Sequence, residues 1–372
     1  MNKLGIYIHI PFCVKKCNYC AFLSFKMNDD LKRRYIDALK LEIKERADSK
    51  YLVDTIFFGG GTPSLLKPSE IAEILNEITG NFNISKDVEI TMEANPDTLN
   101  EKNLKGYRNA GINRLSMGVQ SLDESLLSVM GRIHNADDVY REYALAREAG
   151  FDNINLDIIF AVPASSLETT MDTLEKIIKL NPEHISYYSL QLEEGTSFFK
   201  DFKDGKLDEI PDDIDRDMYH RGSNLLQKNN YSRYEISNFS KKGYECKHNL
   251  KYWNMDEYLG LGLGSSSYIG GVRLKNTDDI NEYINNKYIS ERHKNTRYDD
   301  ISEAVFTGLR KAEGVSMKEI LGSKEEFWEY YKDSKEEIDS FISEGYLLIK
   351  DDRLILTDKG IDISNKIMVC FV

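Results

Sequence analysis

Residues 4–20, LGIYIHIPFCVKKCNYC, join a predicted strand to a loop that carries three cysteines. The apolar run LGIYIHI (4–10) has the length and composition of a buried strand. Cys13, Cys17 and Cys20 follow it with C-x3-C-x2-C spacing. Three thiolates leave one position of a tetrahedral metal site open, and an iron–sulfur cubane held by three cysteines keeps one iron open to another ligand. The segment therefore predicts an iron–sulfur cluster after the first strand.

A structural zinc site is the alternative interpretation of this loop, and its fourth ligand would be His9 or Cys246. The chain has five cysteines, an odd and clustered set that makes a poor disulfide framework. The first apolar run ends at Pro11 without a small-residue cleavage site, so it does not read as a secretory leader. No stretch approaches the roughly 20 apolar residues that span a bilayer. We therefore expect a cytoplasmic protein with reduced thiols.

The composition is that of an ordinary globular protein. The chain has 372 residues, 30% of them charged, and a formal net charge of −13. Its length suffices for a large domain with a deep core and a smaller second one. The acidic balance and the absence of a basic block argue against a nucleic-acid partner, because such binding depends on Lys and Arg at phosphates.

Short apolar runs alternate with amphipathic segments through the first two-thirds of the chain. Six such repeats imply a parallel sheet with right-handed crossovers, and periodicity alone leaves open a barrel or an open doubly wound sheet. Functional residues belong at the carboxyl ends of the strands in either case. The predicted strands cover 4–10, 55–58, 88–93, 114–119, 153–160 and 184–190, and the predicted helices cover 29–47, 69–79, a segment from about Asn100, 123–130, 136–149, 167–180 and 212–229.

The cysteine loop and the YIHIPF segment (7–12) before it resemble the radical S-adenosylmethionine (radical SAM) superfamily. More narrowly, they resemble the family of anaerobic coproporphyrinogen III dehydrogenase and its heme-chaperone relatives. The resemblance extends over essentially the whole chain. It implies an α/β fold, with a partial (β/α)6 TIM barrel over 1–235 and a C-terminal α+β domain over 236–372 that covers the barrel mouth. Within that domain, 336–368 reads as helix, hairpin and helix, which resembles a winged-helix module.

The resemblance also implies that the three cysteines hold a [4Fe–4S] cluster whose open iron binds the amino and carboxylate groups of SAM. Further motifs match in order. GGGTP (59–63) follows the second strand, where a glycine run lets backbone approach a ligand. GINRLSMGVQS (111–121) spans the fourth strand, and GRIH (131–134) follows it. The SAM contacts that the resemblance implies are Tyr7, Gly60, Gly61, Thr62, Glu93, Gln120, Arg132 and Asp157.

Several of these assignments have alternatives. Glu93 could instead cap the next helix, and Arg132 would contact either the SAM carboxylate or a second SAM. Asp157 lies inside an apolar strand, where a carboxylate is costly unless it is bonded. Arg114 begins its strand, away from the expected active end, so we interpret it as structural. AVPAS (161–165) departs from the GLPGQ of the family.

Two features favour the heme-chaperone branch. The dehydrogenase has a further cysteine two residues after its third cluster ligand, whereas this chain has Ala21-Phe22 at that place. The dehydrogenase also has a longer N-terminal extension, whereas the predicted first strand of this chain begins at residue 4. HNLKYW (248–253) matches the HNxxYW element typical of the chaperone. His248 is the first candidate heme ligand and Cys246 the second, since both residue types serve as axial ligands. The alternative is that HNxxYW forms a packing and hydrogen-bonding corner.

The resemblance thus implies a heme chaperone that binds heme and transfers it to acceptor hemoproteins, including respiratory, membrane-associated ones. Its cofactors would be a [4Fe–4S] cluster, SAM and heme. The main alternative is oxygen-independent coproporphyrinogen III dehydrogenase, a radical SAM enzyme of oxidative decarboxylation, and we do not expect that activity. Another radical SAM enzyme acting on heme and a zinc-binding interaction protein are further alternatives.

Overall fold

The computed structural model describes residues 1–372. Its strands are β1 Asn2–Ile10, β2 Phe12–Cys13, β3 Phe25–Lys26, β4 Tyr51–Gly60, β5 Asn83–Ala94, β6 Arg114–Gln120, β7 Ile154–Phe160, β8 His184–Ser189, β9 Ser232–Glu235, β10 Asn238–Ser240, β11 Tyr258–Leu261, β12 Ser266–Ile269, β13 Val272–Asn276, β14 Ile289–Lys294, β15 Val315–Ser316, β16 Leu347–Lys350 and β17 Arg353–Leu356. Its helices are α1 Asp29–Glu45, α2 Pro68–Asn81, α3 Glu101–Ala110, α4 Glu124–Met130, α5 Ala136–Glu148, α6 Leu167–Leu180, α7 Ser197–Lys203, α8 Asp212–Lys228, α9 Lys247–Trp253, α10 Ile280–Ile284, α11 Arg297–Gly308, α12 Met317–Leu321, α13 Lys324–Tyr330, α14 Lys335–Ser343, α15 Asp358–Ile361 and α16 Ser364–Val369.

One 12-stranded sheet organises the molecule, in the order β14-β13-β12-β11-β1-β4-β5-β6-β7-β8-β10-β9. The seven strands from β11 to β8 run parallel. The two edges of the sheet do not meet, so the barrel is partial. The six predicted βα repeats and the α/β fold class are confirmed, because β1, β4, β5, β6, β7 and β8 fall on the predicted strands.

The parallel strands are buried on both faces, as a βα crossover architecture requires. In β1, Leu4, Ile6, Ile8 and Ile10 are each at most 1% exposed. The helices that cover the sheet begin where the sequence provides caps. The Asn28 side chain accepts a hydrogen bond from the backbone N–H of Leu31 at 3.0 Å at the start of α1. Local sequence and burial therefore favour the same elements.

The segment after β8 contains strands that the sequence analysis did not predict. β11 lies parallel beside β1, and β12, β13 and β14 extend that edge with antiparallel pairing. β10 and β9 extend the other edge. These strands are short and rich in glycine, serine and polar residues, so they carry little periodic signal. The division of the chain at 235 stays a prediction, and the main sheet continues across it to Lys294.

The remaining residues form a small unit of helices α11–α16 around a three-stranded sheet, β15-β17-β16. The predicted helix, hairpin and helix over 336–368 corresponds to α14, β16–β17 and α15–α16. The unit is joined to the β9 edge of the main sheet by backbone hydrogen bonds. Ala312 N–H donates to Tyr234 O at 2.9 Å and Ile236 N–H donates to Arg310 O at 3.1 Å.

Candidate functional site

A cleft of about 520 Å³ runs inside the parallel sheet, from the cysteine loop at the carboxyl ends of the strands to α9 at their amino ends. This volume lies in the range of sites for small organic ligands. Seven of the nine predicted cofactor contacts line the cleft together with the three cysteines, whereas Tyr7 and His248 do not. The seven are Gly60, Gly61, Thr62, Glu93, Gln120, Arg132 and Asp157.

The cysteine loop presents its thiols to donors that suit thiolates. Thr62 Oγ1 donates to Cys13 Sγ at 3.6 Å, and Arg132 Nη1 donates to Cys17 Sγ at 3.5 Å. A backbone bond from Cys20 N–H to Cys17 O at 3.2 Å turns the loop. No group of His, Cys, Asp and Glu in residues 1–372 is arranged around a single metal ion. A cubane cluster distributes its thiolates over different irons, so this loop suits the cluster.

The two residues considered as a fourth zinc ligand are both engaged elsewhere. His9 Nε2 donates to Leu23 O at 2.9 Å, so its Nδ1 accepts from the Tyr7 hydroxyl at 3.1 Å. Cys246 is fully buried beside Glu89, outside the cleft. Burial raises the pKa of the Cys246 thiol to about 12. Neither residue completes a tetrahedral site with the cysteine loop.

The glycine turn after β4 brings backbone against the cysteine loop. A Cβ on Gly61 would lie 2.6 Å from Phe12 O, and one on Gly60 would lie 2.6 Å from the His9 ring. Gly60 also adopts a φ of +110°, which L side chains rarely tolerate. The turn therefore requires glycine at both positions, and Gly60 N–H donates to Glu93 Oε2 at 3.1 Å.

Two carboxyl groups, Glu93 and Asp157, face the cleft from β5 and β7. Burial raises the pKa of Glu93 to about 8, and the charge of Asp157 adds to the effect. Burial also raises the pKa of Asp157. Two hydrogen bonds to its carboxylate act in the opposite direction: Asn155 Nδ2 donates at 2.7 Å, and Ser116 Oγ donates at 3.4 Å. A ligand amine or hydroxyl beside these carboxyl groups would donate hydrogen bonds that favour their charged form.

Arg132 connects the cysteine loop to the ends of β5 and β6. Its Nη2 donates to Asn95 Oδ1 at 2.8 Å and to Gly118 O at 2.7 Å. Its Nε has no hydrogen-bond partner. Gln120, at the end of β6, has a φ of +66°. Left-handed backbone at a residue other than glycine is strained, and such strain is concentrated at functional sites.

Tyr7 occupies a neighbouring pocket of about 380 Å³, which also contains His9, Phe22 and Tyr252. A Cβ on Gly59 would lie 2.9 Å from the Tyr7 ring and 3.2 Å from Glu93 Oε2. The space that a Gly59 side chain would fill therefore lies between Tyr7 and Glu93, and Tyr7 is a neighbour of this cleft residue although it does not line the cleft itself. The role of Tyr7 as a SAM contact stays a prediction.

His248 lies in a closed aromatic corner and is 1% exposed. Its Nδ1 is hydrogen-bonded to Thr55 Oγ1 at 2.8 Å and its Nε2 to the Tyr252 hydroxyl at 2.9 Å. The ring stacks on Phe57 with centroids 5.2 Å apart. Burial, followed by the charge of Lys251, lowers the pKa of His248 to about 3. Both ring nitrogens are engaged, so this arrangement has the features of the packing corner, and heme ligation by His248 stays a prediction.

The HNxxYW helix α9 joins the floor of the barrel to the C-terminal unit. The Glu89 carboxylate accepts from the N–H groups of Lys247 at 3.3 Å and His248 at 3.2 Å. At the other end of α9, the Arg310 guanidinium lies 4.5 Å from the Trp253 ring centroid. Of residues 236–372, only Asn249 lines the cleft. α9 lies at the amino ends of the strands, and the expectation that the region 236–372 covers the barrel mouth stays a prediction.

Arg114, which the sequence analysis interpreted as structural, lies at the start of its strand as expected, and it also lines the cleft. It is 2% exposed, and its Nε has no hydrogen-bond partner. The argument applied to Asp157 would have found it, because a charged side chain on a buried strand is costly unless it is paired.

Two family models match the chain, that of the radical SAM superfamily over residues 7–177 and that of the HemN C-terminal domain over residues 295–363. A protein named heme chaperone HemW from Buchnera aphidicola is 35% identical over 383 residues, covering 100% of this chain and 99% of that protein. The protein of the same name from Escherichia coli is 32% identical over 384 residues, with the same coverage. The chain belongs to the HemW family. A third HemW, from Bacillus subtilis, is 38% identical over 322 residues, covering 84% of each chain.

The structure of the HemW-family chain is similar to that of coproporphyrinogen III oxidase (HemN) from Escherichia coli, a radical SAM enzyme. The TM-score is 0.87 at 24% identity, and the match covers 100% of this chain and 90% of that one. At this identity the likeness concerns the fold alone. The radical SAM fold with its C-terminal α+β region is thereby confirmed.

Membership of the HemW family confirms the resemblance drawn from the motifs. The radical SAM match supports the predicted [4Fe–4S] cluster and SAM as the cofactors of this fold. The individual contacts stay predictions. None of the helices combines the length and the hydropathy that a bilayer span requires.

Proposed function

We propose that this protein is a heme chaperone, which binds heme and transfers it to acceptor hemoproteins. The observation that carries the proposal is the similarity, over the full length of the chain, to proteins named heme chaperone HemW. Residue 22 is Phe, whereas the dehydrogenase has a cysteine at this position, which also favours the heme chaperone over the dehydrogenase.

The cofactor set of the proposal is a [4Fe–4S] cluster, SAM and heme. Cys13, Cys17 and Cys20 would hold the cluster, whose open iron, when bound, accepts the amino and carboxylate groups of SAM. The remaining cleft residues would bind the rest of SAM. The N–H groups of Gly60 and Gly61 and the Thr62 hydroxyl can bond its amino-acid end, and Arg132 suits its carboxylate. Glu93, Gln120 and Asp157 can bond its amine and ribose hydroxyls.

Heme titration of the anaerobically reconstituted, full-length protein tests the proposal. We expect a Soret band that saturates at roughly one heme per chain, followed by loss of that band when an apo-hemoprotein is added in excess. A titration without a Soret shift would contradict heme binding. Binding without transfer would contradict the chaperone role.

The heme ligand is tested by two variants in the same titration. Ligation by His248 requires its ring to leave Thr55, Tyr252 and the aromatic stack. If His248 ligates the iron, His248→Gln changes the position of the Soret band, and Cys246→Ala does so if the thiolate ligates. His220→Gln is the control, since His220 is a half-exposed residue paired with Asp362. Unchanged spectra in both variants would remove both candidates.

An anaerobic turnover assay with coproporphyrinogen distinguishes the heme chaperone from the alternative, coproporphyrinogen III dehydrogenase. We expect no protoporphyrinogen, and its formation would replace the chaperone assignment. The proposal further places the protein in the cytoplasm, without nucleic acid, and with respiratory hemoproteins among its acceptors. Heme transfer to membrane vesicles that contain an apo-cytochrome tests that last point.

A further inference from the structure

The inner end of the cleft is polar and is distinct from the cysteine end. Arg114 lies four residues before Gly118 on β6, which is about 13 Å along a strand. Arg132, by contrast, is bonded to Gly118 O near the cysteine loop. Asn155 of β7, Ser186 of β8 and Asn249 of α9 line the same inner end.

Arg114 brings a positive charge to this end of the cleft. No carboxylate in the structure forms a direct ion pair with it. It is 2% exposed, and its Nε has no hydrogen-bond partner. The carboxylates of Glu89 and Asp157 act on it only over a distance: Glu89 accepts the first N–H groups of α9, and Asp157 accepts from Asn155. A buried guanidinium without a direct ion pair can bind the anionic group of a ligand.

The other side chains at the inner end suit a carboxylate as that anion. Asn249 lines the cleft from α9 and can donate through its amide. Asn155 and Ser186 already bond to each other, with Ser186 Oγ donating to Asn155 Oδ1 at 3.1 Å, which fixes their positions. A planar guanidinium binds a carboxylate through two parallel hydrogen bonds.

We propose that Arg114 and Asn249 form a carboxylate-binding subsite at the inner end of the cleft, and that it takes a propionate group of heme. The identity of the carboxylate rests on the proposed function. The carboxylate of SAM is the other source of this chemistry. It must reach an iron held by the cysteine loop, at the opposite end of the cleft.

The test compares heme with heme dimethyl ester, in which both propionates are masked, on the full-length reconstituted protein. The wild-type protein should bind heme roughly ten- to hundred-fold more tightly than the ester, the range of a charge-assisted hydrogen bond. Arg114→Gln should remove that preference by weakening heme alone, and Arg114→Lys should retain part of it. Arg292→Gln, at an exposed arginine of β14, is the control and should behave as wild type.

The outcomes separate this inference from the proposed function. If the wild type binds neither compound, the heme-chaperone proposal fails and the propionate assignment fails with it. If it binds heme and the ester equally, only the subsite is overturned, and this holds even where Arg114→Gln does not fold. If Arg114→Gln weakens SAM in equilibrium dialysis but not heme, the carboxylate is that of SAM, and the propionate assignment is wrong.

Discussion

Two alanines in the loop after β7 adopt backbone conformations that favour glycine. Ala161 has a φ of +55° and Ala164 a φ of +70°. They occupy the two positions at which the resembled family has the glycines of GLPGQ, where this chain has AVPAS (161–165). Left-handed backbone costs an L-residue about 1–2 kcal/mol, so both alanines store strain.

Ala161→Gly and Ala164→Gly should each raise the free energy of unfolding by about 0.5–1 kcal/mol. The relieved strain of about 1–2 kcal/mol exceeds the entropic cost of glycine of about 0.5–1 kcal/mol. Urea denaturation of the full chain measures the difference. The control is Ala144→Gly, at an exposed position of α5, which should lower stability by about 1 kcal/mol. Destabilisation by all three variants would show that the loop is unstrained.

Glu93 makes stability depend on pH. Its pKa rises from 4.5 in the unfolded chain to about 8 in the folded protein, chiefly through burial. Between these values the folded state keeps a proton that the unfolded state releases. Its contribution to stability is therefore fully present below pH 4.5 and is lost as the pH rises through 8.

Glu93→Gln should therefore be more stable than the wild type at pH 8.5, by on the order of 2 kcal/mol, and close to it at pH 4.5. Urea denaturation of the protein without cluster or SAM at both pH values measures this. Glu175→Gln, at an exposed position of α6, should shift stability equally at the two pH values. A Glu93→Gln effect that does not depend on pH would contradict the raised pKa.

At the scale of elements, α9 depends on a strand far away in sequence. Glu89 of β5 binds its first N–H groups, and Lys251 of α9 is paired with Asp54 of β4 at 2.7 Å. Gly5 of β1 makes room for the helix, since a Cβ there would lie 2.7 Å from Lys251 Cδ. The HNxxYW corner is thus held by three strands at once.

Glu89→Gln should lower the free energy of unfolding by about 2 kcal/mol, because it weakens charge-assisted bonds to buried N–H groups. Iron content after reconstitution should not change, since the cysteine loop lies at the other end of the cleft. Asp87→Asn, the same change of an acid to an amide at an exposed position of β5, should have little effect. Equal stability of the two variants would show that Glu89 does not hold α9.

At the scale of the whole molecule, the five cysteines divide between the cofactor loop, the core and the surface. Cys13, Cys17 and Cys20 are partly exposed, and Cys246 is fully buried. Cys370 is partly exposed near the C-terminus. The main hydrophobic core contains none of the loop cysteines, so folding should not depend on the cluster.

The triple variant of Cys13, Cys17 and Cys20 to Ser should bind no iron–sulfur cluster, yet unfold within about 1 kcal/mol of the cluster-free wild type. Cys246→Ser should lose about 1–3 kcal/mol, because it buries a more polar group whose neighbour, Glu89 Oε1, lies 3.8 Å from the thiol sulfur and is too distant for a good hydrogen bond. Cys370→Ser is the control for both. Iron analysis and urea denaturation measure these effects, and an unfolded cluster-free wild type would show that the cluster holds the fold.

The sequence by itself determined the six parallel strands and their helices, because long apolar and amphipathic runs favour one local structure wherever they are placed. It also determined the motifs at the carboxyl ends of those strands, since a parallel sheet brings such ends together. The tertiary structure alone decided the place of β9–β14, which are too short to show a period. It also decided that HNxxYW closes the floor of the barrel, because this depends on contacts between residues more than 100 positions apart, such as Glu89 with His248.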